Sequence, residues 1–101
     1  MSGLVSGDDL DAALRALSHP TRRAIIRLTT PTDVPATELA EELGIAPATA
    51  SEHLRVLRKT GLIELTATGT WRRYQAMPAR LEAVVNALIQ DLRTQKNKEQ
   101  P

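Results

Sequence analysis

Two short stretches of helical period stand on either side of a three-residue connection, and this spacing constrains the fold more than any other feature of the chain. Ala36 to Leu43 places Leu39 and Leu43 on one face, and Gly44 follows as a natural left-handed terminator. Gly44-Ile45-Ala46 is the whole connection, because Pro47 can open the next helix, whose apolar stripe is Ala50, Leu54 and Leu57 and which Gly61 closes. Two helices joined this tightly form a helix–turn–helix, the arrangement in which the second helix can be presented to a DNA major groove. Many helical pairs with a glycine turn bind nothing, so the flanking chain decides.

After Gly61 the period changes. Leu62, Glu64 and Thr66 alternate with Ile63, Leu65 and Ala67, which predicts a strand. Thr68-Gly69-Thr70 turns the chain and Trp71 to Ala76 returns it as the second arm of a hairpin, which Met77-Pro78 breaks. A hairpin directly after a helix–turn–helix is the wing of a winged helix. Upstream, a helix begins near Asp8 or Asp9, carries Leu10, Ala13, Leu14 and Leu17, and stops at Ser18-His19-Pro20. Pro20 opens a second helix, capped by His19 or Ser18, that runs through Ile25 and Leu28 and ends before Pro31, and residues 30–35 read as a loop. A last helix, about Ala79 to Leu92, carries Leu81, Val84, Val85, Leu88 and Leu92 on one stripe. The expected fold is mainly α with a β-hairpin: four helices, a hairpin wing and a C-terminal helix over residues 8–93, between flexible segments at 1–7 and 94–101.

A chain of 101 residues with 42% apolar content makes one domain, small enough that a shared dimer interface would help it. The absence of cysteine excludes disulfides, thiolate metal sites and cysteine nucleophiles. No apolar run approaches the ~20 residues of a membrane span, and MSGLVSGDD lacks a secretory pattern, so a cytoplasmic protein is expected. The net charge of +1 is unevenly spread, at −3 over residues 1–46, +3 over residues 47–74 and +1 over the remainder. A basic middle segment is a candidate polyanion-binding face, although on charge alone a solvated surface is the better explanation.

LRALSHPTRRAII, ATELAEELGIAPATASEHLRVLRKTGLI and the hairpin ending WRRYQA resemble the ArsR/SmtB family of bacterial winged-helix transcription regulators over roughly Leu14 to Ala76. The resemblance implies a homodimer on a palindromic operator in double-stranded DNA, acting by default as a repressor, with the terminal helices at the dimer interface. The apolar residues Leu10, Leu14, Leu81, Val84, Val85, Leu88 and Leu92 are compatible with that role, and on periodicity alone equally with an ordinary core.

On the second helix of the pair, at about 100° per residue, Ala48, Ser51, Glu52 and Arg55 point away from the core set by Ala50, with Thr49 flanking. Ser and Thr can bond to bases or phosphates, Arg can read guanine, and Glu can accept from cytosine. Polar residues frequent in the family are replaced here by Ala46, Pro47 and Ala48, so shape and backbone contacts carry more of the affinity. His53 matches a family histidine that lies against DNA, or else packs half-buried on the wing, and His19 matches the helix-opening position. In the wing, Trp71 and Arg73 share one face and Arg72 and Tyr74 the other. Tyr74 matches an inward family position, which makes Arg73 the expected phosphate contact and leaves Arg72 to snorkel from the core edge.

Many family members respond to a metal. No such site stands out here: the last helix has Glu82 and Asp91 but no histidine, and the two lie about 180° apart around it. No cofactor is required, though a weak nickel or zinc site could form if the fold brings His19 and His53 to a carboxylate such as Asp8, Asp9, Asp11 or Glu42. Ser51 and His53, two apart on one helix, do not face each other, and no phosphate loop or paired carboxylates appear, so an enzyme is not expected. The alternatives are a winged helix that binds protein, and the DNA-binding half of a two-protein regulator whose separate partner does the sensing.

Overall fold

The computed structural model describes residues 5–99, with side chains described through residue 94. The expected flexible residues 1–4, 100 and 101 lie outside this range. The described residues form α1 (Gly7–Leu17), α2 (Pro20–Leu28), β1 (Val34–Pro35), α3 (Ala36–Leu43), α4 (Pro47–Lys59), β2 (Ile63–Thr68), β3 (Trp71–Ala76) and α5 (Pro78–Glu99).

Helix boundaries follow local chemistry. Ser6 caps α1 by accepting from the Asp9 N–H at 3.1 Å, and Asp8 and Asp9 favour its positive end, so the helix starts at Gly7. At the end of α3, Gly44 adopts φ 63°, while the Ile45 N–H donates to Ala40 O and the Gly44 N–H to Glu41 O, both at 3.1 Å. These two bonds satisfy the last carbonyls of α3 and reverse the chain within three residues, and the left-handed angle they need favours glycine.

The sheet has the antiparallel order β1-β3-β2. Thr68 pairs with Trp71 across the two-residue turn Gly69-Thr70, and Leu65 pairs with Tyr74, as the hairpin pattern predicts. The stretch expected to be wholly loop supplies a third strand, in which Val34 pairs with Tyr74 and Pro35 with Arg73. Proline is tolerated there because β1 is an edge strand with only one neighbour.

Leu10, Ala13, Ile25, Leu39, Leu54, Leu57, Leu62, Ile63, Tyr74 and Val84 form one core to which α1–α5 and both hairpin arms contribute. Backbone bonds close the ring of elements, from the Ala76 N–H to Thr29 O at 3.1 Å and from the Met77 N–H to Leu62 O at 3.0 Å. The Arg80 side chain lies across Gly61 and donates from Nε to Thr60 O at 3.3 Å, covering the C-terminal end of α4. The domain boundary expected after Arg93 falls inside α5, which continues in helical conformation through Glu99. At ~1.5 Å per residue, this 22-residue helix accounts for much of the 57 Å long dimension of a molecule only 20 Å thick. Among the described residues, no helix is long and apolar enough to cross a membrane.

Candidate nucleic-acid interface

Helix α4 is held from beneath by Ala50, Leu54 and Leu57, all buried, and this fixes which side of it faces out. Ala48, Thr49, Ser51, Glu52 and Arg55 are exposed together along its first three turns, where the sequence reading puts them. Pro47 opens the helix and Ala46, at the cap position, offers no side-chain oxygen, so the first-turn N–H groups have no side-chain cap. The outer face of the helix therefore begins with small residues and open donors.

Arg55 and Glu52 engage each other two-pronged, with Arg55 Nε 3.3 Å from Glu52 Oε1 and Nη2 on Oε2. This hydrogen bond, with the charge behind it, holds the Glu52 carboxyl below its ordinary range. Both side chains are more than half exposed, and an ion pair in that setting contributes only about 0–1 kcal/mol. Arg55 can be transferred to a base edge or a phosphate at small cost, with Glu52 left to accept from a base amino group.

His53 does not belong to the exposed set. It lies some 60° from Ala50 around the helix, on the core side, and is 9% exposed. Its Nδ1 accepts from Arg22 Nε at 3.2 Å, and its ring packs against His19 with centroids 4.6 Å apart. The ring thus rests on the α1–α2 junction. Burial first, then the charges of His19 and Arg22, push the His53 pKa down. His19 occupies the N-cap position of α2 with extended backbone, but makes no side-chain capping bond, because its ring is against His53.

In the wing, the arginine expected to be free is the paired one. Arg73 Nε lies 3.1 Å from Asp33 Oδ1, and Nη2 donates to Asp33 O at 3.3 Å. The pairing of β1 with β3 carries Asp33 to this position, and the neighbouring Gln75 donates to Pro31 O at 2.6 Å, so the loop covers that face of β3. Arg72 does share a face with buried Tyr74, but it sits two residues nearer the tip, beyond the core, and is exposed with no ion pair among the described residues. Trp71 beside it is 61% exposed. Arg72 is the wing cation available to an external anion.

The terminal helices divide the seven expected interface residues. Leu10 and Val84 are buried in the chain's own core and cannot meet a partner; the inward stripe of each helix is wide enough to take them. Leu81 and Leu88 are half-buried at the core edge, whereas Leu14, Val85 and Leu92 are exposed, the last two by 55% and 63%. Ile89, absent from the expected set, is also exposed. It stands four residues after Val85 and three before Leu92, a spacing legible in the sequence.

The two histidines meet, but the third group beside them is the Arg22 cation. Among the described residues no three His, Asp or Glu side chains gather as a metal-binding cluster. Asp8, Asp9, Asp11 and Glu42 are exposed on α1 and α3, and Glu82 and Asp91 line a groove between α5 and the start of α1. The site is a polar helix face flanked by a cationic hairpin.

A family profile described as a helix-turn-helix domain matches residues 17–66. The HTH-type transcriptional regulator Rv2034 of Mycobacterium tuberculosis is 36% identical over 74 residues, which cover 73% of this chain and 69% of its own. The biofilm growth-associated repressor of Xylella fastidiosa is 31% identical over 83 residues, covering 82% and 73%. Among solved structures, an ArsR-like transcriptional regulator from Rhodococcus sp. RHA1 superposes with a TM-score of 0.78 at 27% identity, covering 90% of this chain and 86% of that one. The homodimeric winged helix-turn-helix DNA-binding domain Mb0332 from Mycobacterium bovis gives 0.70 at 25% identity, covering 86% and 80%.

Proposed function

The chain belongs to the ArsR/SmtB family of winged-helix, DNA-binding transcription regulators, and from that premise we propose that it binds a palindromic operator as a homodimer and represses transcription by occupying it. The observation that carries this reading is the outer face of α4, where Thr49, Ser51, Glu52 and Arg55 stand together opposite the buried Ala50, Leu54 and Leu57. With Arg72 at the wing, this surface offers base-reading groups on a helix and a cation for the flanking backbone. The dimer is supported by Val85, Ile89 and Leu92, exposed along a helix that its own chain leaves half uncovered, and by the homodimeric state of the Mb0332 domain. A two-fold axis through α5 pairs two α4 helices and accounts for an operator of two half-sites. Repression is supported by the Xylella fastidiosa relative, itself a repressor.

Fluorescence anisotropy of the purified chain on the DNA upstream of its own gene, against a scrambled duplex over a salt series, tests this. Selective binding whose logarithm falls steeply with log salt is expected. Equal and weak binding to both duplexes would overturn the reading in favour of a protein-binding winged helix. Nickel or zinc titrated into the complex then asks whether the two histidines form an effector site.

A further inference from the structure

We propose that Arg22 is a positioning residue for DNA binding: by donating Nε–H to Nδ1 of His53, it fixes the imidazole in the form whose Nε2–H is left to bond a DNA backbone phosphate. The inference rests on the reading of α4 as the DNA-facing helix.

The hydrogen bond joins residues 31 apart in sequence, from the first turn of α2 to the middle of α4, at 3.2 Å. Arginine has no acceptor and does not give up its proton, so Nδ1 must be the acceptor of this bond, and the ring proton then resides on Nε2. Nε2 has no hydrogen-bond partner among the described residues, yet no buried side-chain nitrogen or oxygen among them is left without one, so its edge is open to the surface. His19, at 4.6 Å and tilted by 57°, braces the ring from one side and limits its rotation. Along α4, His53 lies about 40° from exposed Thr49, at the border of the outer face.

The charges around the ring agree with a neutral donor. His19 and Arg22 face it from the start of α2, and Glu52 precedes it on α4. Burial first, then the repulsion a second positive charge would meet from His19 and Arg22, outweigh the carboxylate and lower its pKa, so a neutral imidazole prevails at neutral pH. A neutral N–H beside the Arg22 guanidinium is suited to a phosphate oxygen, which needs a directed donor and finds a cation next to it.

The tautomer can be read in the whole chain without any substitution. Long-range 1H–15N correlation spectra of histidine-labelled protein at neutral pH should show His53 with a bare Nδ1 and a protonated Nε2. A proton on Nδ1, or an imidazolium, would overturn the proposal. Arg22→Met should mix the tautomers and weaken operator binding by roughly tenfold, the value of one directed hydrogen bond, while the slope of log affinity against log salt is retained. A slope reduced by about 0.9 would mean that Arg22 itself neutralises a phosphate and would overturn the positioning role. In a His53→Ala background, Arg22→Met should add no further loss, and a full additional loss would equally contradict it. If the unsubstituted chain binds no DNA, the reading of α4 falls and this role with it, whereas a tautomer spectrum that still shows a bare Nδ1 separates that failure from failure of the Arg22–His53 contact.

Discussion

Helices α4 and α5 are packed on the same core, yet they leave opposite chemistry outside. The uncovered side of α4 carries Thr49, Ser51, Glu52 and Arg55, whereas the uncovered side of α5 carries Val85, Ile89 and Leu92. Water solvates the first set readily. The second is an apolar stripe, and burying it against another copy would recover about 25 cal/mol for each Å² removed from water. One helix leaves a polar, charged surface outside, and the other an apolar one suited to the proposed dimer. The division of labour within a small domain is thus written in what each helix fails to cover.

The largest test of this contrast uses neighbouring valines. Val84→Asp places an unpaired charge in the core, at a cost comparable to the ~5–15 kcal/mol stability of a typical domain, and should leave the chain unfolded by circular dichroism. Val85→Asp combined with Leu92→Asp should leave the helical signal intact, turn the dimer into monomer in sedimentation equilibrium, and lower operator affinity by about a hundredfold or more, as the linkage between half-sites is lost. A double variant that remains dimeric would break the contrast at α5.

On the α4 side, Ser51→Ala or Arg55→Ala should cost roughly 1–3 kcal/mol at one operator position and little at the others, measured by competition among single-base operator variants. Losses spread evenly over all sequences would reduce the outer face to a backbone contact. In the wing, Arg72→Ala should weaken binding to every duplex and lower the salt slope by about 0.9. Arg73→Ala should lower the slope by less, because its guanidinium is already engaged by the Asp33 side chain and carbonyl.

The smallest effect is a pH dependence of stability. The folded pKa of His53 is lowered, so below about 6.5, the ordinary imidazole value, the unfolded chain binds more protons than the folded one. The stabilisation is fully present above that pH, is lost as pH falls towards the folded pKa, and levels off below it. Urea midpoints across this window should drop more for the natural chain than for His53→Gln.

Much of the fold was legible because its boundaries are marked by residues with few alternatives. Gly44 in a left-handed angle and Pro20 and Pro47 at helix starts stand where the punctuation predicts, and the alternation after Gly61 gives the hairpin. What escaped has a common physical cause. A two-residue strand has no period to read, and Pro35 argues against one, so β1 was invisible, and with it the contact between Asp33 and Arg73 that leaves Arg72 as the unpaired wing arginine among the described residues. Periodicity also shows that a stripe is apolar without showing what covers it. Leu10 and Val84 went to the chain's own core while Val85 and Leu92 stayed outside. The polar residues after Leu92 carry no stripe, which hid the continuation of α5 to Glu99. The inward side of His53 follows from its offset from Ala50, but its partners Arg22 and His19, far away in sequence, could not be read.

The most direct test of the contrast between α4 and α5 is a chemical-shift map of the 15N-labelled chain titrated with its upstream duplex. The largest changes should fall on Thr49, Ser51, Glu52, Arg55 and Arg72, with Val85, Ile89 and Leu92 nearly unmoved because a second copy covers them in the proposed dimer. Changes concentrated on the α5 stripe, with the outer face of α4 silent, would contradict the account.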